Sequence, residues 1–454
     1  MGAASYFTPR IARFTTCYGQ RTMEGGTPSP PTPTREERSF AVMLALVTVV
    51  GLGVGAAGAA LVCLLHLVQH GAYGYDVGNV LDTESFLEGV SRATPLRRFC
   101  VPVVGGFVAG LGWWALQRFG RPLVNVEEVV DAKGRMPPGS TIVHVLLQIV
   151  TVGLGSPLGR ETAPRELGAT FSTWVSDRAR LSPEQRRLLV ACAAGAGLAA
   201  VYNVPFGGAL FTLEVLLGTF RPSAVAAAVA SSALAAVVVK VALGNVQVYH
   251  LPLFEVHAGL LVWSVLAGPV LGLAADQFAR LAGSAREHTP RGVSLLLWCV
   301  PTFVAVGLFA TRYPQLLGNG KNAAQPAING ELTIGLAAVL VVLRLAITVG
   351  SLRAGAKGGL LTPSLAIGAL LATLLGAAWS QLWPGTPLPA FAVVGATAFL
   401  AVSQKMPVTA IVLMGEFTRF DHDTLFAVLL CVAGASAVAR AEAKRGFAVP
   451  SGLQ

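Results

Sequence analysis

Two breaks rich in glycine and proline interrupt strongly apolar sequence, and each has an echo about 200 residues further on. Gly159-Arg160-Glu161-Thr162-Ala163-Pro164 is answered by Gly358-Gly359-Leu360-Leu361-Thr362-Pro363. Pro205-Phe206-Gly207-Gly208-Ala209, running on to Glu214, is answered by Pro407-Val408-Thr409-Ala410, running on to Glu416, with nine residues from proline to glutamate in both. One half of the chain therefore repeats the other. In a membrane protein, Gly/Pro-interrupted segments at corresponding places in two halves point to a transport site at the repeat interface. That pattern favours transport over catalysis.

Composition agrees. Hydrophobic residues make up 54% of the chain, charged residues 12%, and mean hydropathy is +0.64, whereas a soluble domain carries about 25% charged residues. Apolar stretches approaching the span length of about 20 residues cover Ala41–Leu67, Val101–Leu116, Thr141–Leu158, Leu188–Leu217, Ala224–Leu243, Leu260–Leu273, Val293–Phe309, Ile334–Val349, Leu365–Leu382, Ala390–Val402 and Thr424–Val438. Several are too short, or too rich in Gly and Pro, for plain spans. Such segments are tolerated only where they are buried in protein or line a wet cavity. The 51 glycines suit close helix packing in lipid.

The net charge of +10 is read as basic flanks of membrane spans, since no basic-aromatic patch supports a nucleic-acid partner. Arg35 and Arg38 precede the first span, and Arg440, Lys444 and Arg445 follow the last. Both termini are then expected in the cytoplasm, with an even number of crossings. The six cysteines, at 17, 63, 100, 192, 299 and 431, are scattered without CxxC spacing and read as packing residues. Residues 1–38, rich in Pro, Thr, Ser and Arg, read as a disordered cytoplasmic tail, with an organellar transit peptide as the alternative. They lack a signal-peptide core, and Met1–Tyr6 misses the myristoylation pattern. The membrane domain is expected over 39–449, its halves at about 39–243 and 250–449, with no cytosolic regulatory domain after the last span.

At the first break, Pro164 falls in the opening turn of a helix, where its missing N–H costs nothing. A helix N-terminus offers unpaired amides and about half a positive charge, which together bind anions. Gly359 and Pro363 set up the same arrangement in the second half. Two such ends aimed at one point hold a small anion without a full cation, so the anion can also leave. Glu161 sits where that anion would bind. As a gate it competes for the same amides and opens the path when protonated or displaced; as a plain cap it does neither. An ionisable residue inside a membrane is a functional candidate by default.

Three of these segments resemble the CLC chloride channel and antiporter family. Gly159-Arg160-Glu161, the run Ala196–Glu214 and Gly359–Pro363 match its GREGP, AGLAAxFNxPxxGxLFxxE and GxFxP signatures in order and spacing, with Tyr202 in place of a phenylalanine. Ser403–Glu416 is similar to the family's penultimate helix, and the likeness covers roughly Arg35 to Val449. It implies an all-α polytopic membrane protein of two inverted-topology halves with broken and re-entrant helices, assembled as a homodimer with one pore per subunit. It also implies that Glu161 gates the pore, that the backbone amides of Arg160, Glu161 and Thr162 form an outer anion site, and that those of Leu360 and Leu361 form a central one. Chloride or another small anion, membrane lipid and possible proton exchange are the implied partners. No cofactor or metal is implied, and the expected location is the bacterial inner membrane.

The chain also departs from the pattern. GREGP reads Gly-Arg-Glu-Thr-Ala-Pro, Leu361 replaces a phenylalanine, and GSGIP is missing, with Gly120–Asn125 the nearest candidate. The family's anion-binding serine is thus unassigned. Its inner-gate tyrosine is missing too, because no tyrosine follows Tyr313, and Phe447 does not take the role. Coupled members often carry a proton-relay glutamate directly after the position of Glu214; here Val215 stands there, which favours channel-like or weakly coupled flow. A proton-coupled chloride or fluoride antiporter is the alternative. Glu214 reads as a structural helix-terminus residue. His144 reads either as a packing residue or, with Arg160, as pore electrostatics, and Arg353 and Lys357 either as solvated charges or as an anion attractor. His66 and His70 share a helix face without a third metal ligand in view. A membrane enzyme is a distant alternative: Glu127-Glu128 opens an EExxxR-like pattern, but Ala132 occupies the arginine's place, and GxSxG, HExxH and Walker motifs are absent.

Overall fold

The computed structural model describes residues 35–75, 85–131, 134–244 and 247–444, with backbone alone over 35–40. The tail before residue 35 with its Cys17, together with Ala132, Arg445 and Phe447, falls outside them. Seventeen α-helices follow among the described residues: α1 Arg35–Tyr73, α2 Phe86–Arg92, α3 Pro95–Phe119, α4 Val126–Val130, α5 Pro138–Gly153, α6 Thr162–Arg178, α7 Pro183–Tyr202, α8 Pro205–Phe211, α9 Pro222–Leu243, α10 Ala258–Glu287, α11 Ser294–Arg312, α12 Lys321–Asn329, α13 Ile334–Ala354, α14 Leu361–Leu382, α15 Leu388–Ser403, α16 Pro407–Thr418 and α17 His422–Lys444. Eight are long and apolar enough to cross a membrane: α1 from Ala41, α3, α9, α10, α11, α13, α14 and α17.

The repeat seen in the sequence is a repeat of breaks. α5, α6, α7 and α8 are matched by α13, α14, α15 and α16. Each series has an irregular link before its second helix, over 154–161 and 355–360. Each then has a helix buried along most of its length, α7 and α15, rich in Ala, Gly and Val, as expected of helices surrounded by protein. Behind these helices the backbone turns left-handed at a non-glycine residue, Asn203 (φ +56°) and Lys405 (φ +54°), two positions ahead of the proline that opens α8 or α16. The apolar stretch Leu188–Leu217 is therefore two helices broken at Asn203, a single residue whose turn hydropathy does not reveal.

The nine-residue spacing from proline to glutamate now has a physical reason. Glu214 lies on a π-helical turn, Thr212–Leu217, that continues α8. It accepts the Val408 N–H (3.0 Å) and the N–H and hydroxyl of Thr409 (2.7 and 2.6 Å) at the start of α16. Glu416, in the last turn of α16, accepts the Phe206 and Gly207 N–H groups (3.0 and 2.6 Å) at the start of α8. Each half caps the other's helix with a carboxylate at the far end of its own. The two helices run antiparallel, and the orphan amides of both first turns are satisfied by charge-assisted bonds.

The other elements set direction. Arg97 donates to the Tyr73 carbonyl (3.1 Å), placing the start of α3 beside the end of α1, so α3 returns to the face where α1 begins. The link from Gly120 to Pro137 lies on that face. α5 leaves it, and α6 comes back antiparallel to α5, with Gln148 bonded to Glu166 (2.8 Å) and Asp177 near Arg135 (3.7 Å).

Replacing Glu214 or Glu416 with alanine is expected to lower stability by about 0.5–2 kcal/mol each, the range of a lost N-cap. Thermal unfolding of the purified variants in detergent measures it. An unchanged melting temperature in both would show that the reciprocal caps carry no weight.

Candidate anion-binding site

The two long breaks meet back to back. Gly159 N–H donates to the Gly359 carbonyl (2.7 Å) and Gly359 N–H donates to the Gly159 carbonyl (2.9 Å). Immediately beyond this stitch, α6 starts at Thr162 and α14 at Leu361, so two helix N-termini converge. Pro164 is the third residue of α6 and Pro363 the third of α14, so α6 starts normally despite the altered GREGP. Fully buried Arg344 braces the approach. It donates to the carbonyls of Pro157 (2.9 Å), Leu316 (3.0 Å) and Gly318 (2.8 Å).

Glu161 is 2% exposed, which excludes a lipid-interface position. Its side chain makes no cap on its own helix. Instead Oε1 accepts the Leu361 N–H at 2.8 Å and Oε2 accepts the Tyr202 hydroxyl at 3.0 Å. The Tyr202 hydroxyl also lies 2.9 Å from Thr362 Oγ1. The carboxylate of the first half thus occupies the amide at the head of the second half's helix. The cap is made across the halves, because the capped helix belongs to the other half. Both glycines of the stitch are required by it: a Cβ on Gly159 or on Gly359 would overlap the Glu161 carboxylate.

Beside this carboxylate lies a cavity of about 330 Å³. Of the residues singled out from the sequence it brings together Glu161, Thr162, Gly359, Leu360, Leu361, His144 and Lys357, with Val215 on the same wall. Gly159, Arg160, Pro164 and Pro363 shape its surroundings without lining it. The Arg160 guanidinium lies over the Tyr202 ring (5.2 Å) and donates to the Val201 carbonyl (3.4 Å), so its side chain braces the tyrosine. Arg353 is turned away, over Trp298 and bonded to the His288 carbonyl. Asn125, from the segment nearest to GSGIP, reaches the cavity wall. His70 packs against Tyr75, and among the described residues no group of three His, Cys, Asp or Glu could hold a metal.

His144 is both packed and cavity-lining. The Trp113 indole N–H donates to its Nδ1 (2.9 Å), so in the neutral ring the proton sits on Nε2, which faces Glu166 Oε2 at 3.6 Å. Among the residues of this wall that sequence reasoning missed are Glu166, Arg286, which donates to the Gly358 carbonyl (3.3 Å), Arg165 and Gln148. It also read Tyr202 only as a substitute ring. The signal was available there, because a phenol buried in place of a phenylalanine must find a partner for its hydroxyl.

A helical body with broken, converging helix ends around a buried carboxylate defines a membrane transport protein. A family model described as voltage gated chloride channel matches residues 105–440. A ClcB-like protein of Ralstonia nicotianae is 30% identical over 411 residues, covering 86% of this chain and 92% of the relative. Among solved structures, a slow cyanobacterial Cl−/H+ antiporter superposes with a TM-score of 0.76 at 20% identity over 88% of this chain and 94% of that one. A CLC-type fluoride/proton antiporter superposes with a TM-score of 0.70 at 19% identity, over 90% and 98%. The chain belongs to the CLC family and is an integral, multi-pass, all-α membrane protein with the CLC fold.

Gly359→Ala is expected to push the Glu161 carboxylate off the Leu361 amide, since the side chain is the flexible partner in the overlap. A structure of the variant showing Glu161 still bonded to that amide would contradict the packing argument.

Proposed function

We propose that the chain carries chloride or a similar small inorganic anion across the membrane through the Gly159–Gly359 crossing, with Glu161 as its gate. The observation that carries this is the Glu161 carboxylate on the Leu361 amide. A site that accepts a carboxylate oxygen at a helix N-terminus accepts a halide on the same donors. The amides of Arg160, Glu161 and Thr162 supply the outer position and those of Leu360 and Leu361 the central one. Tyr202 and Thr362 contribute hydroxyls from the α7 end and the α14 start. They take the place of the serine and tyrosine that this chain lacks at the family's own positions. Lys357 and Arg286 hold the wall positive without a cation on the anion itself, His144 contributes a neutral imidazole, and Arg160 acts through Tyr202.

Val215 puts a hydrocarbon where a relay carboxylate would stand, so protons have no route through that position. The subunit is proposed to pair as a homodimer with one pore each, in a bacterial inner membrane with both termini cytoplasmic. Protonating Glu161 removes the charge from its bonds to the Leu361 amide and Tyr202, so anion flux is expected to rise as pH falls.

Purified protein reconstituted in chloride-loaded vesicles tests the reading, with fluoride-loaded vesicles as a parallel arm. Chloride efflux is expected; efflux of neither anion would overturn the proposal. Glu161→Ala should give faster efflux that no longer responds to pH. Tyr202→Phe removes one hydrogen bond to a charged group, on the order of 1.5–3 kcal/mol. It should shift the gate toward open by roughly tenfold or more, seen as faster efflux at neutral pH. A Tyr202→Phe variant slower than wild type would instead make the hydroxyl chiefly an anion ligand.

A further inference from the structure

We infer that Glu166 is a proton-carrying carboxylate that links the inner face of the protein to Glu161, giving this chain a coupling route that bypasses Val215. The inference rests on the anion-transport reading above and names the second substrate of the same site. Glu161 and Glu166 flank and enter α6 five residues apart, about 7 Å along the axis, and both line the same cavity. α6 descends from the crossing toward the face where α1 and the 120–137 link lie, so Glu166 is the deeper of the two on the inner side. A second cavity, lined by Leu123, Val124, Met136 and Thr141 from that face, shares Asn125, His144, Glu166 and Lys357 with the first. Glu166 stands between the two.

The groups around it single it out. Glu127, the other carboxylate on the wall, is paired with Arg165 at 2.9 Å. Among the described residues no guanidinium holds Glu166 in this way: Gln148 donates to it at 2.8 Å, and His144 Nε2 lies at 3.6 Å, beyond a direct hydrogen bond. Lys357 and Arg286 face the cavity from the second half and from α10. Three polar atoms buried on residues of these walls are left without a protein partner, Gln148 Oε1 and Arg165 Nε in the first cavity and Thr141 Oγ1 in the second. Gln148 and Thr141 are 0% and 2% exposed. Buried polar atoms of this kind are normally satisfied by ordered water, which is what a proton needs to pass between carboxyl groups. In the transfer, Glu166 takes a proton from water on the inner side. Its O–H bond then breaks as cavity water delivers an equivalent proton to the Glu161 carboxylate, which leaves the Leu361 amide as a neutral acid. One proton moves between two carboxylates through water, and no other reactant is required.

The test uses full-length protein in chloride-loaded vesicles, recording chloride efflux and external pH together. Wild type is expected to move protons against chloride in a fixed ratio. Glu166→Gln should lower protons moved per chloride by at least about tenfold, the ratio serving as a readout that a general loss of active protein does not move. Glu166→Asp, which keeps the charge and the fold but shortens the reach, should give an intermediate ratio and serves where Glu166→Gln does not fold. Proton movement by both variants at the wild-type ratio overturns the assignment, as does chloride efflux from wild type without proton movement. Absence of wild-type efflux of both chloride and fluoride would sink the transport reading itself, so the two failures are distinguishable.

Discussion

The pair of backbone hydrogen bonds between Gly159 and Gly359 holds two helix N-termini at one point, and the rest of the site follows from that constraint. Two like partial charges brought together repel, so the crossing needs both a tether and a negative charge. The stitch and the three carbonyls gathered by Arg344 supply the tether. Glu161 supplies the charge.

The molecule solves the same electrostatic problem twice, with different permanence. At the α8–α16 pair, two helix starts receive two glutamates, each held on its partner by two or more bonds. That arrangement is saturated and serves the fold. At the α6–α14 pair there is one carboxylate for two helix starts, because the residue 200 positions after Glu161 is Leu361, and it bonds the α14 start while leaving its own helix uncapped. A single flexible side chain held on one N-terminus by one amide bond is the less permanent of the two arrangements. The asymmetry between the halves at this one position sets the α6–α14 pair apart from the saturated α8–α16 pair.

Much of this was legible in the residues. Glycine and proline must stand where a helix breaks and another begins, so the breaks, their repetition and the gate candidate could be read directly. The reciprocal caps were visible as a repeated spacing, though their partners were not. The Tyr202 hydroxyl was hidden because its partners, Glu161 and Thr362, lie 41 and 160 residues away. Glu166 was hidden because a glutamate early in a helix looks like an ordinary favourable charge near an N-terminus.

Taken alone, the sequence determined that the chain is a helical membrane protein built from two related halves, with broken helices and one carboxylate at a break. Composition and the placing of Gly and Pro are local properties, and they dictate local backbone. Which helix Glu161 caps, where the Tyr202 hydroxyl points, which carboxylate pairs with Arg165 and which is left to the cavity were decided only by tertiary structure. Those are contacts between segments far apart in the chain, and their geometry exists only once the two halves have packed against each other.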